Sequence, residues 1–320
     1  MSRIATLVLL ACTLAACSAP APASAGQAGP PEAAESAPAA AAAAVKSGRL
    51  PINGVDYYYE IRGSGEPLLL LHGGLGSTAM FGPVLPMLAA ERQVIGVDLH
   101  GHGRTTLGER PIDLVDIGDD MAALLEALGY DQVDVLGYSF GGGVAFRLAV
   151  QHPQRVRRLA IVSAGFSRDG FHPEMLPMQA QVGAGMAEMM RDTPMYQSYR
   201  EVAPNVDDFP RLLDRMGELM RKPYDWSDEV GELRMPVMLV FGDSDMFRPE
   251  HIIEFYRLLG GGLKDAGWMR EHMSQNRLAI LPNLTHYEMF MAPEMARTVL
   301  PFLDGENRAG SWADQVRAGG

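Results

Sequence analysis

The chain has 320 residues, of which 47% are hydrophobic and 21% charged, and this composition is typical of a globular protein with one large domain or two small ones. The formal net charge of −12 argues against a nucleic-acid partner, which would require clustered Lys and Arg. Both cysteines, Cys12 and Cys17, lie near the amino terminus, so disulfides, four-cysteine zinc sites and thiol catalysis are excluded for the body of the chain.

The amino terminus has the pattern of an export signal. Arg3 is followed by an uncharged apolar run from Ile4 to Leu14, which is too short to span a hydrocarbon layer of roughly 30 Å. The sequence Leu14-Ala15-Ala16-Cys17 resembles the bacterial lipobox, in which the cysteine is diacylated and becomes the mature amino terminus. On that resemblance, residues 1–17 are a signal peptide and Cys17 carries a lipid such as palmitate.

This resemblance also predicts the location of the protein. Ser18, rather than Asp, after the lipobox cysteine favours a lipid anchor in the outer membrane of a bacterial cell envelope. The alternative is cleavage at the A-x-A sequence Ala23-Ser24-Ala25, which would release a periplasmic or secreted protein.

The next segment, residues 18–47, is predicted to be a disordered linker. It consists almost entirely of Ala, Pro, Ser and Gly, and it has too few large apolar side chains to offset the entropy lost on ordering. We expect one folded domain over residues 48–304 and a carboxyl-terminal tail over residues 305–320.

The folded domain is predicted to begin with a hairpin, because Asn53-Gly54 lies between two short β-rich runs and suits a type I′ turn. Short, continuously apolar runs then alternate with helical patterns, which predicts a mostly parallel sheet covered on both faces. The predicted strands are Leu68–Leu71, Gln93–Val97, Val133–Leu136, Leu159–Val162, Val237–Phe241 and Leu278–Leu281, and the predicted helices are Asp113–Leu128, Gly142–Gln151, Pro249–Leu259 and Pro293–Leu303.

One segment interrupts this alternation. From about residue 166 to residue 234 the sequence contains no strand-like run and is rich in Met and aromatic residues. An insertion of this kind between two sheet strands predicts a helical cap over the carboxyl edge of the sheet. Met and aromatic side chains can adapt to bulky apolar ligands, although most of them are expected to pack the cap itself.

Ser139 is the candidate nucleophile. It lies in Gly137-Tyr138-Ser139-Phe140-Gly141, between a predicted strand and a predicted helix. A sharp strand-to-helix turn exposes the central side chain, and glycines on either side remove Cβ atoms that would clash. The sequence therefore predicts a nucleophile elbow.

A serine hydroxyl needs a base within hydrogen-bonding reach and an acid that orients the base. Among the eight histidines, His286 is the predicted base because it follows the strand Leu278–Leu281. Asp245 is the preferred acid because the loop after Val237–Phe241 turns back toward the site at that residue. Asp243, in the same loop, and Asp169 are the alternatives.

The oxyanion of an acyl-transfer intermediate requires backbone donors. We expect these to be the amides of Gly74, in a glycine-rich loop after a strand, and of Phe140, directly after the nucleophile. Neither glycine loop has the G-x-G-x-x-G pattern or a following Gly-Lys-Ser/Thr, so nucleotide binding is not indicated. The predicted chemistry needs no metal and no organic cofactor.

Taken together, these motifs resemble those of the α/β-hydrolase superfamily over residues 48–304. Five features carry the resemblance: an H-G-x oxyanion turn, a D-x-x-G-H-G-like strand end, the elbow, a G-D-x-D acid turn and a terminal histidine. In the same order, their residues are Leu71-His72-Gly73-Gly74, Asp98-Leu99-His100-Gly101-His102-Gly103-Arg104, Gly137-Tyr138-Ser139-Phe140-Gly141-Gly142, Gly242-Asp243-Ser244-Asp245 and Thr285-His286. The resemblance implies an α/β-hydrolase fold and the chain order Ser139, Asp245, His286.

The hypothesis is a carboxylesterase-like serine hydrolase that cleaves an ester or lactone of a fairly large apolar small molecule through an acyl-enzyme. One alternative is a peptidase of the proline-iminopeptidase kind, which would need cap carboxylates to bind the substrate amine. Another is a non-catalytic ligand-binding lipoprotein on a hydrolase scaffold. The expected partners are the small-molecule substrate and, through the lipid anchor, a membrane; the oligomeric state is left open.

Overall fold

The structure is a computed structural model, and it describes residues 45–306 and Trp312. The predicted signal peptide, lipidation at Cys17, the linker up to residue 44 and most of the predicted tail lie outside the described residues. No helix within the described residues combines the length and apolar character needed to cross a bilayer.

An antiparallel hairpin opens the sheet, as predicted. It consists of β1 (Lys46–Ile52) and β2 (Val55–Arg62), joined by a turn in which both Asn53 and Gly54 have positive φ angles of 47° and 82°. The first strand begins at Lys46, two residues before the expected start of the domain, because Lys46 and Ser47 pair with residues at the far end of β2.

The sheet in the described part of the chain has eight strands in the order β1-β2-β4-β3-β5-β6-β7-β8. Strands β1, β2 and β4 pair antiparallel, and β3 to β8 are mutually parallel. The predicted mostly parallel sheet is therefore confirmed. The bounds of the remaining strands are β3 Pro67–Leu71, β4 Gln93–Val97, β5 Val133–Tyr138, β6 Val156–Val162, β7 Val237–Ser244 and β8 Arg277–Thr285.

Helices cover both faces of the sheet, which explains why its central strands are continuously apolar. One face packs against α1 (Val84–Glu91) and α9 (Pro293–Leu303), and the other against α2 (Leu114–Ala127), α3 (Phe140–Gln151) and α8 (Pro249–Leu258). Helix α1 is not among the predicted helices. It is only eight residues long and its sequence includes Pro86, so its periodic signal is weak.

The segment 166–234 contains helices and no strand, as expected. Its helices are α4 (Met175–Ala180), α5 (Pro194–Val202), α6 (Phe209–Arg221) and α7 (Ser227–Val230). Helix α6 buries the side chains of Phe209, Leu212, Leu213 and Met216 along one face. We refer to residues 166–234 as the cap.

Hydrogen bonds from α6 and the residue after it connect the cap to the rest of the domain. Arg211 donates from Nη2 to the carbonyl of Gly108 over 2.8 Å and from Nη1 to Glu109 Oε1 over 3.1 Å. Arg215 donates to the carbonyl of Glu109 over 3.1 Å, and Lys222 Nζ lies 3.1 Å from Asp113 Oδ2. These contacts hold α6 against the loop that follows β4.

Candidate active site

Ser139 lies at the turn between β5 and α3 and has φ 52° and ψ −116°, a combination that is unusual for a residue with a Cβ atom. The turn closes because its neighbours lack side chains. A Cβ atom on Gly137 would lie 2.2 Å from the carbonyl oxygen of Gly141, and one on Gly141 would lie 2.4 Å from that of Leu71. The sequence therefore forces the serine side chain out of the sheet edge, as the elbow motif predicts.

His286 follows the end of β8 and reaches Ser139. Its Nε2 lies 2.9 Å from Ser139 Oγ, and its Nδ1 lies 3.1 Å from Asp245 Oδ1. His286 and Asp245 are buried, whereas Ser139 is half-buried. The three side chains thus form the continuous hydrogen-bonded chain that a serine nucleophile needs.

Asp245 is held from several sides. Its Oδ1 accepts a hydrogen bond from the amide of Met246 over 2.8 Å, and its Oδ2 accepts one from Ser163 Oγ over 2.6 Å. Burial alone would raise the pKa of this carboxyl, but the hydrogen bond and charge of His286 and the hydroxyl of Ser163 outweigh it and hold the pKa below its ordinary value. Asp245 therefore remains ionised beside the imidazole.

The two alternative acids lie elsewhere. Asp243 is exposed and accepts a 3.4 Å hydrogen bond from Ser244 Oγ. Asp169 is also exposed, and its backbone carbonyl accepts a hydrogen bond from Arg248 over 2.6 Å. Of the three candidate acids, Asp245 is the one that the structure places against His286.

Two residues fix the backbone around His286. The hydroxyl of Tyr138 donates to the His286 carbonyl over 2.6 Å, and the two rings lie 5.3 Å apart. Burial raises the pKa of Tyr138, so its hydroxyl stays protonated and remains a donor. Glu288 accepts hydrogen bonds from the amide and the hydroxyl of Thr285, over 2.7 and 2.5 Å, which closes the turn in which His286 lies.

The predicted oxyanion residues lie together beside the nucleophile. A Cβ atom on Gly74 would be 3.9 Å from the Cβ of Phe140, and one on Gly73 would be 3.5 Å from the Cβ of Ser139. Phe140 is also the first residue of α3, where backbone amides point out of the helix. The glycine loop and the start of α3 are therefore neighbours at the position of Ser139.

His72 holds the glycine loop in place. Its Nδ1 lies 2.7 Å from the Gly73 carbonyl, and its Nε2 accepts from the amide of Leu99 over 2.9 Å. The ring is fully buried, and burial lowers its pKa, so it serves as a neutral connector between two strand ends.

A cap residue closes the space over the oxyanion loop. Met216 in α6 is 1% exposed, and its Cε would lie 3.1 Å from a Cβ atom on Gly74. On the other side, the ring of His102 stacks on Phe140 with centroids 5.3 Å apart. Neither contact is predicted from the sequence. Apolar and ring side chains therefore border the predicted oxyanion site.

The described residues contain no group of three or more His, Cys, Asp or Glu side chains arranged to hold a metal ion. A cavity of about 310 Å³ lies between Ser167–Asp169 and Pro223–Asp225 of the cap. A second cavity, of about 490 Å³, lies beside the carboxyl end of α8. Neither is lined by Ser139, Asp245 or His286.

Similarity to known proteins supports the fold described above. The profile of the α/β-hydrolase fold family matches residues 66–194. RutD of Azorhizobium caulinodans, a protein named for a proposed carbamate hydrolysis, is 30% identical over 228 residues, covering 66% of this chain and 84% of that protein. The pimeloyl-[acyl-carrier protein] methyl ester esterase of Neisseria meningitidis is 30% identical over 248 residues, covering 71% and 90%.

Among solved structures, a thermophilic esterase from Thermogutta terrifontis superposes with a TM-score of 0.63 at 21% identity, covering 81% of this chain and 98% of that one. This chain therefore belongs to the α/β-hydrolase family. Its relatives are hydrolases and esterases, and the prediction that it is an enzyme of this class is confirmed.

Proposed function

We propose that this protein is a serine esterase that cleaves a carboxylic ester or lactone of a fairly large apolar small molecule. The observation that carries the proposal is the hydrogen-bonded chain from Ser139 Oγ to His286 Nε2 and from His286 Nδ1 to Asp245, at 2.9 and 3.1 Å. Catalytic roles for these three residues explain their arrangement most simply, since each comes from a different strand end.

In the proposed mechanism, Ser139 Oγ attacks the carbonyl carbon of the ester while His286 Nε2 takes the hydroxyl proton. Asp245 holds the imidazole and stabilises the imidazolium that forms. The amides of Gly74 and Phe140 donate to the oxyanion, and each such donor is worth about 2.7–4 kcal/mol. His286 then protonates the leaving alkoxide, and a water molecule activated by the same imidazole hydrolyses the acyl-enzyme.

The proposal of an ester bond rests on relatives as well as on geometry. One relative is named as a methyl ester esterase and the structural neighbour as an esterase, whereas RutD is named for a carbamate. Hydrolysis of an ester and hydrolysis of a carbamate both pass through a tetrahedral oxyanion. The apolar character that we propose for the substrate rests on Met216, which borders the predicted oxyanion loop, and on the apolar face of α6 around it.

The peptidase alternative has less support. It needs a cap carboxylate free to bind a substrate amine, but Glu188 is paired with Arg191 over 2.6 Å and its side chain is 83% exposed. Glu218 faces Arg215 in the same helix, 3.8 Å away, and is also exposed. Exposed pairs of this kind, one in a turn and one on α6, belong to a solvated surface.

We also propose that the enzyme is attached to the cell envelope through a lipid on Cys17, on the outer membrane, as the lipobox resemblance implies. Release after cleavage near Ala25 is the competing possibility. Incorporation of labelled palmitate that disappears in a Cys17→Ser variant would support the anchor, and palmitate-free protein with a processed amino terminus would exclude it.

Substrate class is tested with a panel of p-nitrophenyl esters of increasing acyl length, a set of lactones and a set of amino-acid naphthylamides. We expect turnover of esters or lactones, a preference for longer apolar groups, and loss of turnover in a folded Ser139→Ala variant. Turnover of naphthylamides alone would favour the peptidase. A folded protein that reacts with no substrate and is not labelled by a fluorophosphonate at Ser139 would favour a ligand-binding role.

A further inference from the structure

The loop between α8 and β8, residues 260–276, carries a cluster of exposed large apolar side chains. Leu263 is 63% exposed, Trp268 80%, Met269 44% and Met273 40%. Trp312, itself 65% exposed, places its ring 6.3 Å from that of Trp268. We call these five residues the tryptophan patch. Single exposed apolar residues are ordinary, but a cluster of this kind marks a surface that contacts something.

The loop is braced in a way that holds Trp268 outward. Asp265 Oδ2 accepts from the amide of Gly267 over 2.9 Å, and Glu271 Oε2 accepts from the amide of Met269 over 3.0 Å. The two acids of the loop therefore bind the amides on either side of Trp268. Gly267 has φ 80°, a backbone conformation that residues with a Cβ atom rarely adopt, so the turn favours glycine.

The topology places this loop at one particular edge of the sheet. It leads into the start of β8, and the parallel strands β3 to β8 all begin at the edge opposite Ser139, Asp245 and His286. Strand β1 is antiparallel to β2, which is antiparallel to β4, so β1 runs in the same direction as β4 and also begins at this amino edge. Lys46, the first residue of β1, therefore lies at the same amino edge as the tryptophan patch, although β1 and β8 are the two outermost strands of the sheet.

We infer that the tryptophan patch is a membrane-contact surface whose occupant is the interface of a phospholipid bilayer. Tryptophan is enriched at such interfaces because its ring is apolar and its N–H can remain hydrated. A cavity of about 490 Å³ beside the patch is lined by Lys264, His272 and Arg277 as well as by Leu263 and Met273. The charged groups of Lys264 and Arg277 next to apolar side chains suit lipid phosphates above acyl chains.

The inferred contact turns the amino edge of the sheet toward the bilayer and the catalytic site away from it. The patch would add an apolar contact with the bilayer to the lipid proposed at Cys17. The inference does not depend on the proposed esterase chemistry. It also holds for a protein released from the lipid, which would then bind vesicles reversibly through the patch alone.

The test uses the exported protein in the form that cells produce after processing. The protein is mixed with, or reconstituted into, vesicles of phosphatidylethanolamine and phosphatidylglycerol. Dibrominated acyl chains in these lipids quench tryptophan that lies in the interface. The chain has three tryptophans, and Trp226 provides the matched control because it stacks on Phe146 with ring centroids 5.1 Å apart. The variants are Trp226→Phe, the double variant Trp268→Phe/Trp312→Phe, and Trp268→Ser.

We expect quenching of the wild-type emission, retention of that quenching in Trp226→Phe, and loss of most of it in the Trp268→Phe/Trp312→Phe double variant, in which only Trp226 remains. Hydrolysis of a soluble ester should be the same in all of them, which separates this result from a failure of the proposed function. Absence of quenching in the wild type, or unchanged quenching in the Trp268→Phe/Trp312→Phe double variant, would overturn the inference. A dimer in sedimentation velocity that Trp268→Ser dissociates would assign the patch to a second copy instead.

Discussion

The hydroxyl of Ser163 donates to Asp245 Oδ2 over 2.6 Å, on the opposite side of the carboxylate from the oxygen that faces His286. Ser163 is fully buried at the end of β6, and its φ of 51° is rare for a residue with a side chain. Its amide donates to Val240 on the neighbouring strand over 2.8 Å. Ser163 is therefore a positioning residue that fixes the acid rather than the nucleophile.

We expect Ser163→Ala to lower kcat/KM by about 10-fold, since a hydrogen bond to a charged group contributes roughly 1.5 kcal/mol or more. Loss of this donor also raises the pKa of Asp245, so the acid limb of the pH profile should move to higher pH. Ser244→Ala is the matched control, because Ser244 is exposed and bonds only weakly to Asp243 over 3.4 Å. A lower rate with an unmoved acid limb would indicate a purely structural role.

Asp245→Asn should reduce kcat by about 10⁴-fold, because an amide in its place favours the wrong imidazole tautomer. Asp243→Asn, two residues away and exposed, should keep nearly all activity. Steady-state kinetics on one ester, with circular dichroism to verify folding, makes the comparison. Equal losses in the two variants would show that the loop as a whole, and not Asp245, is required.

We expect the effects of substitutions at Met216 and Gly74 on turnover to depend on each other. Gly74→Ala places a Cβ atom 3.1 Å from Met216 Cε, which must shift, and we expect reduced turnover. Met216→Ala should admit bulkier esters and cost about 2–4 kcal/mol of unfolding free energy, since the side chain is buried.

The double variant should recover part of the activity lost in Gly74→Ala. Chain-length profiles of the single and double variants measure this coupling. Additive losses with unchanged substrate preference would mean that Met216 does not border the bound substrate. Met178→Ala, exposed on the cap, is the matched control.

His251 is expected to make stability depend on pH. Burial between Phe166 and Phe247, assisted by Arg248, lowers its pKa to about 4 against opposing effects of Asp225 and Asp169. The unfolded chain takes up a proton near pH 6.5 and the native state does not. The free energy of unfolding should therefore fall as the pH is lowered from about 6.5 to about 4 and change little from this source below that range.

A His251→Phe variant removes this contribution and keeps the aromatic stack. Its thermal midpoint should exceed that of the wild type by more at pH 5 than at pH 8. His272→Gln, in an exposed loop position, should follow the wild type at both values. A constant difference between His251→Phe and wild type across this range would contradict the expectation.

Much of the site follows from strand ends that the sequence marks clearly. Ser139, Asp245 and His286 each come after a short apolar run, and parallel strands bring such ends to one edge. Ser163 has the same kind of placement, but no motif surrounds it and its left-handed backbone cannot be read from Val162-Ser163-Ala164. A buried serine after a strand is a signal that could have suggested it, although a weak one.

The cap illustrates what the sequence leaves open. Its existence follows from the absence of strand-like runs, and the amphipathic pattern of α6 follows from periodicity. Which methionine lies against Gly74 depends on how α6 docks, and that is set by contacts such as Arg211 with Gly108 and Glu109. Those contacts join segments about a hundred residues apart, so local sequence does not determine them.

The most direct test of Ser139 as the nucleophile is trapping of the acyl-enzyme. Wild-type protein is mixed with a slowly deacylating p-nitrophenyl ester, quenched in acid and measured by intact mass and peptide mapping. We predict one acyl group per chain on Ser139, released p-nitrophenol in a matching burst, and no adduct in Ser139→Ala. Steady turnover in Ser139→Ala, or an adduct on another residue, would contradict the assignment of Ser139 as the nucleophile.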